Sequence, residues 1–129
     1  MSAQNDSLDW GQFTILVVED EPMIRLDLTD ELCRAGFTVR EAATADAACE
    51  MLSGTCDVHL VITDIRMPGR LNGIGLARWI KETRPHVLVV FVSGEVTARD
   101  LPRISDAAFV KPLDHPRFVR SIRELLSKQ

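Results

Sequence analysis

The chain lacks most of the features that would take it out of the ordinary globular class. No apolar segment approaches the roughly 18 residues needed to cross a bilayer. The polar opening MSAQNDSLDWGQ has neither the basic nor the apolar region of a secretory signal. Neither membrane insertion nor export is expected, and a cytoplasmic location is implied. Cysteine is scarce: Cys33, Cys49 and Cys56 are odd in number and form no C-x-x-C pair. That pattern disfavours a disulfide framework or a zinc site and fits reduced thiols. His59, His86 and His115 are too dispersed for a metal cluster. Basic residues occur without a run or interleaved aromatics, and the net charge is −4. The cationic footprint that neutralises phosphates is missing, so direct nucleic-acid contact is not expected.

What remains is an average globular composition. With 129 residues, 46% hydrophobic and 26% charged, the chain fits a single domain with a sizeable core. Residues 1–12 read as a polar, flexible leader with Trp10 folded back, and 13–129 as the domain.

Its organising stretch is Leu60-Val61-Ile62-Thr63-Asp64, followed by Ile65-Arg66-Met67-Pro68. An apolar and β-branched run of this length reads as a strand covered on both faces, and the Pro68-Gly69 pair cannot continue it. Asp64 therefore stands at a strand's C-terminal end, the edge of an open α/β sheet at which ligands bind.

In chain order, Thr14–Val18 is the first strand, and Glu19-Asp20-Glu21 lead into a helix opened by Pro22 and ended by Gly36. Thr38–Ala42 is a weaker strand, and Asp46–Leu52 a short helix. After the Asp64 strand comes a helix over Gly73–Glu82 with Asn72 as its cap. Val87–Val92 is another continuous apolar strand ending at Ser93-Gly94. A helix over 97–104 is interrupted by Pro102. Ala107–Val110 is the fifth strand, and Asp114 with Pro116 starts the last helix. Five alternations of strand and helix predict a doubly wound parallel sheet with helices on both faces.

Four strands then end in groups capable of chemistry: Glu19 and Asp20, Asp64, Ser93, and Lys111. Three carboxylates on one rim repel unless a hard cation joins them, and Mg²⁺ suits oxygen donors and phosphate together. Lys111 offers a compact charge for a phosphoryl group, Ser93 a hydroxyl, and Gly94 a backbone amide without an obstructing Cβ. Asp64 is placed as nucleophile. Singly, each residue has an ordinary role as a cap, a turn hydroxyl or a surface charge. Their joint placement at successive strand ends points to phosphoryl chemistry.

The motifs VVEDE at 17–21, ITDIRMPG at 62–69, NG at 72–73, VSG at 92–94 and FVKP at 109–112 resemble a two-component response regulator receiver domain of the single-domain chemotaxis type. The resemblance covers about Thr14 to Ser127. It implies a flavodoxin-like sheet of order 2-1-3-4-5. Asp64 becomes the phosphoacceptor, Glu19 and Asp20 the acidic pair for Mg²⁺, Arg66 the donor of a backbone carbonyl, Ser93 the switch hydroxyl and Lys111 the phosphate-pairing lysine. A cis Lys111–Pro112 bond is also implied. The chain departs from the family pattern in three places. The loop between Pro68 and Gly73 is one residue longer, the segment from Ser93 to Lys111 is about a helical turn shorter, and the aromatic switch position is Ala108. Phe109 stands one place later, on the opposite face by strand alternation, where a core role is expected. Output through a rearranged loop at 95–106 then follows.

The resemblance implies a phosphorylation switch rather than an enzyme: a sensor histidine kinase phosphorylates Asp64, and a downstream protein partner reads the altered surface in trans. A phosphorelay step to a histidine phosphotransfer protein uses the same site. A phosphorylation-independent adaptor is a further alternative. A small-molecule phosphatase is disfavoured, because Asp64-Ile65-Arg66 lacks a second acid two residues on.

Overall fold

The computed structural model describes residues 8–54, 57–67, 71–94 and 104–128. Five parallel strands form one sheet: β1 (Thr14–Val18), β2 (Thr38–Ala42), β3 (Leu60–Thr63), β4 (Leu88–Ser93) and β5 (Ala107–Val110), in the order β2-β1-β3-β4-β5. Among the described residues, four helices cross between or follow them: α1 (Pro22–Arg34), α2 (Ala45–Ser53), α3 (Gly73–Thr83) and α4 (His115–Ser127). The fold is the doubly wound one that the alternation predicts. The proposed helix over 97–104 falls largely outside the described residues.

Strand composition matches position in the sheet. The continuous apolar runs are internal: β3 and β4 are buried throughout, and β1 at every residue after Thr14. The mixed Thr38-Val39-Arg40-Glu41-Ala42 and Ala107-Ala108-Phe109-Val110 runs are the edges, each open on one side. Period-two alternation then divides the core into two layers. Leu16, Val18, Val61, Val89 and Phe91 face α2 and α3, together with Leu76 and Ile80. Ile15, Val17, Leu60, Ile62, Val90 and Val92 face α1 and α4, meeting Leu28, Leu32, Phe118 and Ile122.

Each helix starts on a side-chain acceptor: Glu21 for α1, Thr44 for α2, Asn72 for α3 and Asp114 for α4. The Asn72 Oδ1 accepts from the Gly75 amide at 2.9 Å. Asn72→Ala is expected to cost about 1 kcal/mol, the usual value of an N-cap, read as a lowered denaturant midpoint at unchanged slope.

Residues 1–7 of the expected leader lie outside the described residues. Trp10–Gln12 forms a 3₁₀ turn, and Trp10 is folded back and buried. Its ring meets Phe37 edge-on at 5.6 Å, and the Arg123 guanidinium lies 5.3 Å from its centroid. This packing carries the structured region to the N-terminal side of Phe13.

Candidate functional site

The C-terminal ends of β1, β3 and β5 meet at one point. Asp64 follows β3 directly, and its side chain is 14% exposed. Its Oδ2 accepts a hydrogen bond from the Lys111 Nζ at 2.9 Å, and its Oδ1 accepts one from the Arg66 amide at 3.2 Å. The same ammonium reaches Oε1 of Glu19 at 3.3 Å. One cation thus bridges two carboxylates brought together from the first and third strand ends. Lys111 is held by the sheet, since its amide donates to the Ser93 carbonyl at 2.9 Å. The Lys111–Pro112 peptide bond is cis, as the resemblance implies.

Glu19 is buried, which is uncommon for a glutamate and calls for full pairing. Its amide donates to the Ala42 carbonyl, its own carbonyl accepts from Arg25, and Oε2 accepts from the Glu21 amide at 3.0 Å. Burial pushes its pKa above the ordinary 4.5; the Glu21 hydrogen bond and the Lys111 charge pull down, while Asp20 and Asp64 push up. For Lys111, burial of the ammonium lowers the pKa, but its bond to Asp64 and the charges of Asp64 and Glu19 outweigh this and leave it raised. The ammonium is therefore charged at neutral pH and anchored between its partners.

Asp20 and Arg66 are both exposed on the rim beside this core. Ser93 is buried at the last position of β4, beside Lys111 in the neighbouring strand connection. Gly94 is exposed, and no described atom lies within 4 Å of where its Cβ would stand. Ala108 is exposed on one face of β5. Phe109 points to the other face and meets Phe118 edge-on at 5.1 Å, the core role that alternation predicts.

Two supporting groups escape a sequence reading. Thr63 is fully buried and its hydroxyl donates to the Asp64 carbonyl at 2.9 Å. Gly73 opens α3 directly against that backbone: a Cβ there would stand 1.8 Å from the same carbonyl oxygen. The NG pair marks a helix start in the sequence, but the close approach is a tertiary contact without a local signal.

Among the described residues, no three His, Cys, Asp or Glu side chains gather as a ready-made metal cluster. The donor chemistry nevertheless fits Mg²⁺. Glu19 and Asp64 are oxygen donors already gathered about one cation, with Asp20 and the Arg66 carbonyl on the rim, and Mg²⁺ needs only one or two carboxylates plus water.

Residues 15–127 match the response regulator receiver domain family. The chain belongs to that family, the receiver domains of two-component systems. The sensor kinase CckA of Brucella abortus is 34% identical over 124 residues, which cover 92% of this chain and 13% of that protein. The aerobic respiration control protein ArcA of Escherichia coli is 34% identical over 118 residues, covering 88% and 48%. The chain thus spans less than half the length of these curated relatives. Among solved structures, the response regulator TrrA of Thermotoga maritima, in complex with Mg²⁺-BeF, superposes with a TM-score of 0.79 at 28% identity, covering 88% of this chain and 98% of that one. A CheY-like receiver domain protein of Methanospirillum hungatei gives 0.81 at 27% identity, covering 90% and 94%.

Proposed function

We propose that this receiver domain is a phosphorylation switch that accepts a phosphoryl group on Asp64 from a sensor histidine kinase. The observation that carries the reading is the Lys111 ammonium seated between the Asp64 and Glu19 carboxylates at the sheet's C-terminal edge. An Asp64 oxygen attacks phosphorus as the phosphohistidine P–N bond breaks, and the departing imidazole takes a proton. The Arg66 amide and Thr63 hydroxyl hold Asp64 in place, so little reorganisation accompanies transfer. Lys111 stays as counter-charge to the acyl phosphate, with Ser93 and the Gly94 amide beside it as further donors. Glu19, Asp20, Asp64 and the Arg66 carbonyl would hold Mg²⁺, which would supply charge neutralisation during the transfer. That a Thermotoga relative is found in complex with Mg²⁺-BeF supports Mg²⁺ as the group such a domain takes.

The protein is then a self-assisting phosphoacceptor rather than an enzyme with a separate substrate. It works in the cytoplasm, and a downstream protein reads its surface. A second reading rests on the sensor kinase relative: matching a segment of such a protein favours a relay in which Asp64 passes its phosphoryl group to a histidine phosphotransfer protein. Return of label from Asp64 to a phosphotransfer histidine separates the two.

The test is intact mass after incubation with acetyl phosphate. A gain of one phosphoryl group is expected with Mg²⁺ and is expected to vanish in EDTA and in Asp64→Asn. A gain that persists in Asp64→Asn overturns the assignment.

A further inference from the structure

Arg25 lies in the first turn of α1, where the helix macrodipole is positive and a cation is disfavoured. A good helix former placed against the dipole is a local conflict, and such conflicts mark positions held for another reason. Its side chain is only 21% exposed, and it does not run out to solvent. Instead it folds back over the start of the helix and donates from Nη1 to the Glu19 carbonyl at 2.8 Å. Its Nε donates to Glu41 Oε1 at 3.2 Å, on the neighbouring edge strand β2.

The target carbonyl is what gives this contact reach. The carbonyl of Glu19 and the amide of Asp20 belong to one planar peptide unit. A bond to that oxygen fixes the orientation of the plane from which both acidic side chains hang. The ladder fixes the near side of the turn, since the Glu19 amide donates to Ala42. Past Glu19 the chain leaves the sheet, and Arg25 ties the turn to α1 and to β2 at once. The ion pair with Glu41 holds the guanidinium fork at the angle this requires.

We propose that Arg25 is a positioning residue for the divalent-cation site: through the Glu19 carbonyl it orients the Glu19–Asp20 peptide so that both carboxylates face Asp64. The proposal rests on the reading that these three acids bind Mg²⁺. Charge alone predicts the opposite of what positioning predicts. Removing a cation beside an acidic site strengthens binding of another cation by Coulomb attraction. Removing a group that orients a metal donor weakens it.

The test is a Mg²⁺ titration of the full chain followed by amide NMR shifts, which reports affinity and confirms folding in the same spectra. Compared are the wild type, Arg25→Ala and Arg25→Lys. Arg25→Ala is expected to raise the Mg²⁺ Kd about tenfold, the low end for loss of a partner that orients a metal ligand. Arg25→Lys keeps the charge and one donor and is expected to recover part of that loss. A Kd in Arg25→Ala that is unchanged or lower overturns the proposal, even if the variant is less stable, because that pattern is a structural or purely electrostatic role. If Arg25→Ala does not fold, Arg25→Lys decides: binding at least as tight as the wild type overturns the proposal. Absence of Mg²⁺-dependent shifts around Asp64 in the wild type overturns the Mg²⁺ reading itself, and with it this one.

Discussion

Replacing Lys111 with methionine is expected to destabilise the fold by about 2–3 kcal/mol, below the full cost of breaking a buried ion pair because the lysine side chain keeps 26% of its surface exposed. The loss comes less from the missing contacts than from what they leave behind. Glu19 and Asp64 then face each other without the shared ammonium, and Glu19 cannot turn to water because it is buried and clamped by the Glu21 amide. The pH dependence follows from the sign of the Glu19 shift. Its raised pKa means that the folded state holds the proton more tightly than the unfolded chain. The associated stability is complete below the unfolded value of 4.5 and is lost as pH rises through the folded value. Without Lys111 that folded value climbs further, so the variant's deficit is smallest in mild acid and grows toward neutrality. Denaturant unfolding on both sides of this range reads it directly, and a deficit independent of pH contradicts the bridging role. Mg²⁺ is expected to restore part of the stability, since a ligand of the folded state alone stabilises it. It is not expected to restore phosphorylation, for which the proposed function assigns the lysine as counter-charge.

Gly73→Ala is the second large effect. The added Cβ would stand 1.8 Å from the Asp64 carbonyl oxygen, 2.8 Å from its carbon and 3.0 Å from the Ile65 Cα. All three atoms are backbone, and two belong to Asp64 itself, so relief requires moving either α3 or Asp64. We expect a cost of about 3 kcal/mol, the upper part of the overpacking range. A drop of about tenfold or more in phosphorylation is expected, since displacement by an ångström removes an aligned nucleophile. Gly75→Ala, two residues on in the same helix, is the control. There the Cβ meets the Cδ1 of Leu71 at 2.6 Å, the tip of a flexible side chain, and the gain in helix propensity offsets the adjustment. Equal losses in stability and phosphorylation at both positions exclude the proposed displacement of Asp64.

These two residues show where a sequence is informative and where it is not. Lys111 was legible because its signal is local: an apolar strand ends at it and a proline follows. The same holds for Asp64, Ser93 and the acids after β1, all fixed by where a buried strand must stop. The burial of β3 and β4 was legible as well, from continuous apolarity, and β2 read as the weaker strand from its mixed composition. Phe109 was settled by counting one residue along a strand. The distinct environments of Glu19 and Asp20 were not legible. The sequence presents two adjacent acids as a pair, but the turn out of β1 buries the first and exposes the second. Gly73 and Thr63 matter through contact with the Asp64 carbonyl, which only folding creates. Arg25 did carry a faint signal, a basic side chain at the unfavourable end of a helix, but its target is a backbone oxygen that no residue pattern encodes.

The division of the core into two layers has an optical consequence. The chain contains two tryptophans, and they sit on opposite sides of the sheet. Trp10 is packed among Phe13, Phe37 and Arg123 on the side of α1 and α4, whereas Trp79 packs into the layer under α2 and α3. Each is therefore an intrinsic fluorophore for one layer, and single-tryptophan variants with phenylalanine at the other position isolate the two emissions. The side of the sheet that responds when Asp64 is modified can then be read without attaching a dye.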